Sequence, residues 1–316
     1  MKRTLTAVAG AVVLALGAAA ASTPYVSGTW PGNGSASWQL AWTSDFAGPA
    51  GQAPSGWTFE QCLAAGSTIA DGCGNSEQEY YVSAAQNATT QNAVLDGNGD
   101  LAITVRKNTD SSLQCQYNAA GTTTGGPFPC PYTSARLDSS RLITARYGRI
   151  EARIRVPITG SNSVGIWPAF WALGTNVGTA GWPASGEIDA MEVWGDHPDS
   201  VGGHLHGPIA NSADAWVAGL DYTLPDGQIL GAGFHVFAVD WFPDRVSFSV
   251  DGHTYETIYK AAMPRGDTWA FDHPFYLILN VAVGSAASPG GGPNSSTTFP
   301  QAMLVNYVRI YTHTEP

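Results

Sequence analysis

Apolar and polar positions alternate along much of this chain with a period of two, and helical periodicity is nearly absent. Between Tyr147 and Val156 the pattern is clean. Tyr147, Arg149, Glu151, Arg153 and Arg155 fall on one face, and Gly148, Ile150, Ala152, Ile154 and Val156 on the other. Successive side chains of a strand point to opposite faces, so this run predicts a strand with one buried side. Val236 to Phe242 and Val246 to Val250 also read as strands, with a turn at Pro243-Asp244 between them. Asp251-Gly252 separates the second of these from His253 to Ile258, a strong signal for a tight hairpin. Phe275 to Val283 is apolar almost throughout and predicts a strand covered on both faces, and Met303 to Tyr311 predicts the last strand. Many short strands joined by Gly, Asn and Pro turns argue for an all-β sandwich or jelly roll.

Composition narrows the class. The N-terminus pairs basic Lys2 and Arg3 with an apolar stretch from Leu5 to Leu16 and small residues at Ala18-Ala19-Ala20, the pattern of a cleaved secretory signal over residues 1–21. The alternative is an uncleaved anchor, but the run is short for a membrane helix. Residues 22–37, rich in Gly and Ser after Ser27, are expected to be a flexible lead-in to a first strand near Trp38 to Trp42. Residues 38–316 show no internal repeat and no long linker, so they are expected to form one large domain. Loss of Lys2 and Arg3 takes the formal net charge from −11 to −13, and the 14 Lys and Arg form no cluster. Nucleic acid and negatively charged substrates are therefore disfavoured as partners, as is a membrane, and the acidity suits solubility outside the cell. A soluble, secreted monomer is the expectation.

Four cysteines fit an exported protein. Cys62 and Cys73 are 11 apart, Cys115 and Cys130 are 15 apart, and both pairs lie in Gly- and Pro-rich stretches. Three pairings exist on paper; loop closure favours Cys62 with Cys73 and Cys115 with Cys130. A metal site is the rival, but no His lies near either pair and no Cys-x-x-Cys occurs.

The candidate chemistry sits in Gly186-Glu187-Ile188-Asp189-Ala190-Met191-Glu192. Charged residues make up only 12% of the chain, yet three acids crowd here between apolar residues. Crowded, buried carboxyls repel and rise in pKa, which separates a protonated acid from an ionised one at neutral pH. Glu187 and Asp189 share a strand face, while Glu192, five residues on, would point the other way. A β-bulge at Ala190 or Met191 would return Glu192 to the first face. The plain alternative is an acidic strand edge in solvent. Eleven tryptophans supply flat apolar faces suited to sugar rings, or simply core packing. Trp167 and Trp171 would share a face of a regular strand, though Pro168 complicates that strand. Trp57 and Trp241 are expected in the core.

Glu-x-Asp-x-x-Glu in a Trp-rich β-protein resembles the signature of glycoside hydrolase family 16, in its laminarinase-like branch. Further matching stretches are Gly74-Asn75-Ser76-Glu77 before Tyr80-Tyr81, Tyr147 to Arg153, Trp167 to Trp171, His206-Gly207-Pro208, Phe234-His235 through Asp240-Trp241, and Tyr307 to Tyr311. The resemblance implies a concanavalin A-like jelly roll with a sugar cleft on the concave sheet. It implies Glu187 as nucleophile, Glu192 as acid/base and Asp189 as the residue tuning Glu187, with retention of anomeric configuration. It raises Asn75, Trp167, Trp171, Trp182 and His206 to substrate-binding candidates. Glu77 can be structural, and Arg149 and Arg153 can simply pair with Glu151.

The chain departs from the family in two places. Members often carry Gly-Gly-Asn-Trp-x-Gly after the long buried strand; here Gly284 to Gly290 has no Trp. Many also bind a structural calcium through an acid near the first strand and a later Asp. Asp45 can serve as the first, but Asn306 stands at the second, which makes calcium doubtful. No cofactor is required. The expected function is an endo-glycosidase cutting β-1,3-linked glucan, the polysaccharide being its partner. The alternatives are a β-1,3-galactan or agar-type hydrolase and a non-catalytic sugar-binding protein.

Overall fold

The computed structural model describes residues 23–27, 37–263 and 267–314. The expected signal, residues 1–21, lies outside them.

Two large sheets face each other. The first has nine strands and runs Tyr25–Ser27, Thr144–Arg146, Phe275–Val283, Ile166–Gly174, Glu187–Glu192, Ser200–Pro208, Ala215–Thr223, with Arg136–Asp138 and Thr58–Glu60 joined alongside. The second has ten and is built around Gly148–Arg155, which pairs with His235–Phe242 on one side and Gln301–Thr314 on the other. The jelly-roll sandwich expected from strand patterning is therefore the architecture.

Period-two patterning decides the core. Ile150, Ala152 and Ile154 point inward from the second sheet with Phe237, Val239 and Trp241, and meet Phe170, Ile188, Leu205, Leu277 and Leu279 from the first. Trp57 and Trp241 belong to this core, as expected. The outer face of Gly148–Arg155 carries its own network. Glu151 accepts from Arg149 Nε at 3.0 Å and from the Tyr307 and Tyr311 hydroxyls at 3.3 and 2.9 Å, while Arg149 also reaches Asp240 at 2.8 Å. Arg149 thus pairs with Glu151, but Arg153 instead lies over the Phe234 ring, 4.3 Å from its centroid.

The turns follow their chemistry. Val250 pairs with His253 across Asp251 and Gly252, both at positive φ (49° and 80°), the two-residue turn that matches strand twist. Phe275–Val283 is sandwiched between neighbours on both edges and only Tyr276 is part-exposed. Pro168 does not break its strand, whose pairing with Phe275–Val283 is continuous. Its carbonyl faces the neighbour at Val193, beyond the last paired residue Glu192, so the missing N–H falls where that ladder has ended.

Two expectations need correction. The lead-in over 22–37 contributes a strand, Tyr25–Ser27, paired parallel to Thr144–Arg146, and the next strand begins at Ser37. A helix, Ala84–Thr90, was hidden from periodicity by its polar composition. Its signal is the capping box Ser83 with Gln86, in which the two side chains satisfy each other's backbone N–H.

Both sequence-local disulfides are present, with Cα–Cα distances of 5.1 Å for Cys62–Cys73 and 5.0 Å for Cys115–Cys130. Cys115 and Cys130 sit with Ala70 and Tyr80 in a second, small core beneath a three-stranded sheet. Cys62–Cys73 ties the loop that carries Asn75 into the cleft wall. Removing either bridge by paired Cys→Ala substitution is expected to cost about 3 kcal/mol, read as a lower Tm. Only loss of Cys62–Cys73 is expected to raise KM as well. Equal KM in both variants would contradict this division.

Candidate active site

The acid strand, Glu187–Glu192, shows how the chain brings three carboxyls to one face. Trp171 pairs with Asp189 and Phe170 with Met191, leaving Ala190 as an extra residue. On the other side His204 pairs with Asp189 and Gly202 with Glu192, so Gly203 alone opposes two residues. This is the expected β-bulge. Ala190 (4% exposed) and Met191 (0%) both point into the core, and Glu192 returns to the face of Glu187 and Asp189. Without the extra residue Glu192 would enter the apolar interior, a placement costing several kcal/mol for an unpaired charge.

That face is the floor of a cleft of about 650 Å³. Glu187, Asp189 and Glu192 line it together with every sugar-contact candidate: Asn75, Trp167, Trp171, Trp182 and His206. Trp182 Nε1 donates to Glu187 Oε2 at 2.9 Å, and Trp167 Nε1 donates to Glu192 Oε1 at 3.1 Å. Each Glu therefore has its own indole donor. His206 Nε2 lies 3.0 Å from Asp189 Oδ2 and 3.9 Å from Glu187 Oε1. His204 Nδ1 lies 3.0 Å from Glu192 Oε2. One imidazole thus serves each end of the acid set.

The Asn75 loop is wired to the floor. Asn75 Nδ2 donates to Glu77, Tyr81 donates to the other Glu77 oxygen, Asn280 donates to Tyr81, and Trp171 Nε1 donates to Asn280 at 2.8 Å. Glu77 is buried in this chain of bonds and fixes the loop. Arg136, ion-paired to Glu60 at 2.7 Å, lies over the Trp171 ring at 4.6 Å from the centroid and lines the cleft with it.

Electrostatics assigns the proton. Burial, followed by the charge of Asp189, pushes Glu187 up to about 8. Burial, followed by the charge of Glu192, holds Asp189 well above the usual carboxylate range. Two adjacent carboxyls, one buried and one part-buried, do not readily ionise together, so they titrate as a pair. Asp189 is the better place for the shared proton. It is 3% exposed, and its Oδ2 receives no hydrogen bond, the His206 contact being off-angle. Glu187 receives the Trp182 N–H, which favours its ionised form. A protonated Asp189 removes the like charge that raises Glu187. The arrangement then presents one ionised carboxylate and a second carboxyl on one cleft wall, with separate partners.

The loop Gly284 to Gly290 folds on itself. Ser285 and Ser288 are buried and hydrogen bonded to each other, and Ser288 Oγ donates to the Asn75 carbonyl at 2.8 Å. Pro289 is its contribution to the cleft lining. Asp45 and Asn306 do not suit a cation. Asp45 accepts from Thr43 at 3.0 Å and faces Arg309 at 3.6 Å, while Asn306 turns its amide donor onto Asp100 at 2.8 Å. A hard cation needs oxygens there, not an N–H. Glu187, Asp189 and His206 do converge within 4.8 Å, but the two carboxyls are the proton-sharing pair just described and His206 is their close neighbour in the cleft.

Sequence reasoning misses His204, Arg136 and Asn280. For His204 a signal exists: His204-Leu205-His206 has period two, so both rings share the cleft face. Arg136 and Asn280 carry no local signal, since their place depends on long-range pairing with each other.

A two-sheet β-sandwich with paired carboxyls on a tryptophan-lined open face is the construction of a glycosidase. The chain belongs to the glycosyl hydrolases family 16, whose family model matches residues 77–308. It is 34% identical over 249 residues to the glucan endo-1,3-beta-glucosidase A1 of Niallia circulans, covering 76% of this chain and 33% of that one. It thus spans about a third of that relative's length. It is 32% identical over 284 residues to the beta-glucanase of Rhodothermus marinus, covering 88% and 86% of the two chains. Among solved structures, the catalytic domain of an endo-1,3-beta-glucanase (laminarinase) from Thermotoga petrophila RKU-1 superposes with a TM-score of 0.71 at 36% identity, covering 89% of this chain and 100% of the other.

The Trp182 bond is open to a direct test, because this residue is half exposed and carries little of the core. Trp182→Phe deletes one hydrogen bond to a charged group, worth about 1.5–3 kcal/mol. The expected result is a roughly 10- to 100-fold loss in kcat/KM with Tm unchanged. Unchanged kcat/KM would contradict the role given to Trp182.

Proposed function

We propose that this protein is a secreted, retaining endo-glycosidase that cleaves β-1,3-linked glucan. The observation that carries the reading is the bulge at Ala190, which sets Glu187 and Glu192 on one cleft face with different hydrogen-bond partners. Glu187, ionised and held by Trp182, attacks the anomeric carbon. The bond to the leaving oxygen breaks as Glu192 delivers its proton to that oxygen. Glu192, now a carboxylate, then takes a proton from water, whose oxygen attacks the anomeric carbon and displaces Glu187. Asp189 keeps its proton and stops Glu187 from becoming protonated. Trp167, Trp171 and Trp182 offer faces to the sugar rings.

The choice of β-1,3-glucan is supported by the relatives, two of which are named for 1,3-β-glucan cleavage. Secretion is supported by the basic and apolar N-terminal pattern and by two disulfides, which persist in oxidising compartments.

Products on laminarin, lichenan, β-1,3-galactan and agarose test the substrate. Laminarin is expected to yield a ladder of oligosaccharides, with short oligomers cut slowly because no aromatic ring projects from Gly284 to Gly290. Activity on galactan with none on laminarin would contradict the reading. Glu192→Gln tests the roles. It is expected to fail on laminarin, to retain turnover of a dinitrophenyl glycoside whose leaving group needs no proton, and to be accelerated by azide. Azide rescue confined to Glu187→Gln would reverse the two roles.

A further inference from the structure

We propose that Asp221, His204 and Glu192 form a positioning triad in which Asp221 holds the His204 imidazole and His204 orients the Glu192 carboxyl and serves as its proton partner. The inference rests on the acid/base role given to Glu192 above, and assigns functions to two residues outside that mechanism.

The geometry runs in one line from the cleft to the surface. Glu192 is clamped at both oxygens, by Trp167 on Oε1 and by His204 Nδ1 on Oε2. The Trp N–H can only donate. The imidazole nitrogen can donate or accept, and so can follow Glu192 between its two protonation states. The other imidazole nitrogen, Nε2, lies 3.7 Å from Asp221 Oδ1, on the edge strand Ala215–Thr223. Asp221 has a side chain 52% exposed, His204 one of 16% and Glu192 one of 13%, so the line leads from the exposed edge strand to the part-buried carboxyl on the cleft floor.

The backbone around His204 is shaped for the ring. A Cβ on Gly202 would stand 2.6 Å from His204 Cε1 and 2.8 Å from Asp221 Oδ1. Gly219, register partner of His204, has φ +143°, and a Cβ there would clash with the neighbouring backbone at Gly203 and His204. The glycines leave room for the imidazole to stand between two carboxylates. The groups facing it are Glu192 and Asp189 on the acid strand, His206 on its own strand and Asp221 on the edge strand. The Tyr255 hydroxyl comes from the opposing sheet beneath Gly203, and burial keeps it neutral. Trp194 adds an uncharged ring, 6.1 Å between centroids. Burial alone would lower the affinity of His204 for its proton. The bond to Glu192 and the charges of Glu192, Asp189 and Asp221 outweigh it and raise the pKa.

The consequence for catalysis has a definite sign. Glycosylation needs a proton on Glu192, and His204 Nδ1, 3.0 Å from Glu192 Oε2, is the group placed to exchange one with it. Removing the negative charge of Asp221 destabilises the imidazolium, so His204 gives up its proton at lower pH. The basic limb of kcat/KM on laminarin is expected to fall by about one pH unit in Asp221→Asn, by the effect of one nearby charge, and to fall also in His204→Gln, which removes the proton partner itself; Asp221→Glu is expected to keep the wild-type limb. With a dinitrophenyl glycoside, whose departure needs no acid, the basic limbs of wild type and variants are expected to coincide. Imidazole titration followed by NMR provides an arm independent of substrate: His204 is expected to titrate lower in both Asp221→Asn and Glu192→Gln than in wild type. If the protein leaves laminarin untouched but His204 shows these drops, the triad stands and the substrate assignment falls. An unchanged His204 titration in both variants would overturn the triad. So would a uniform loss of kcat/KM at every pH with the basic limb in place, which would mark His204 as packing only.

Discussion

Everything in the cleft depends on strand parity. A strand gives alternate residues to opposite faces, and in this sandwich one face is core and the other is cleft. Glu187 and Asp189 share the cleft face for free, but Glu192 does not. The extra residue at Ala190 changes the count by one, sending Ala190 and Met191 into the core together and Glu192 back to the cleft. Burial of Ile188, Met191 and Val193 makes this register costly to slip, since any shift would exchange buried apolar groups for carboxyls. The hydrophobic core thereby enforces the chemistry of the opposite face.

Crowding the acids has an electrostatic cost that the surrounding residues redistribute rather than remove. The Glu187 and Asp189 carboxyls share one proton because both cannot be charged in so little solvent. Indole donors from Trp182 and Trp167, with His204 against Glu192 and His206 against Asp189, then make the two glutamates inequivalent. The two ends differ in access as well: the Trp182 donor beside Glu187 is half exposed, while the Trp167 donor beside Glu192 is buried.

Much of this was legible in the chain. Alternation at Tyr147 to Val156, the Asp251-Gly252 turn and the apolar run at Phe275 to Val283 each depend on local rules, and each became the expected element. The acid run and its bulge were legible because the spacing violates parity in a way only an extra residue repairs. What stayed hidden was either masked by composition or long-range. The helix Ala84–Thr90 lacks an apolar stripe, and its capping box was the only mark. Tyr25–Ser27 is a strand only because Thr144–Arg146 lies beside it. Asp221 meets His204 through pairing of Ser200–Pro208 with Ala215–Thr223, and nothing in either segment alone announces the contact.

The central claim is that the bulge and the proton on Asp189 leave Glu187 as the nucleophile on a face shared with Glu192. Trapping tests it most directly. A 2-deoxy-2-fluoro-laminaribiosyl fluoride slows release of any glycosyl ester, so incubation followed by intact mass and peptide mapping reads out which carboxyl was attacked through. The account expects one added sugar unit on the peptide containing Glu187, with the ester on that residue. An ester on Glu192, or no covalent species together with a product of inverted anomeric configuration, would contradict it.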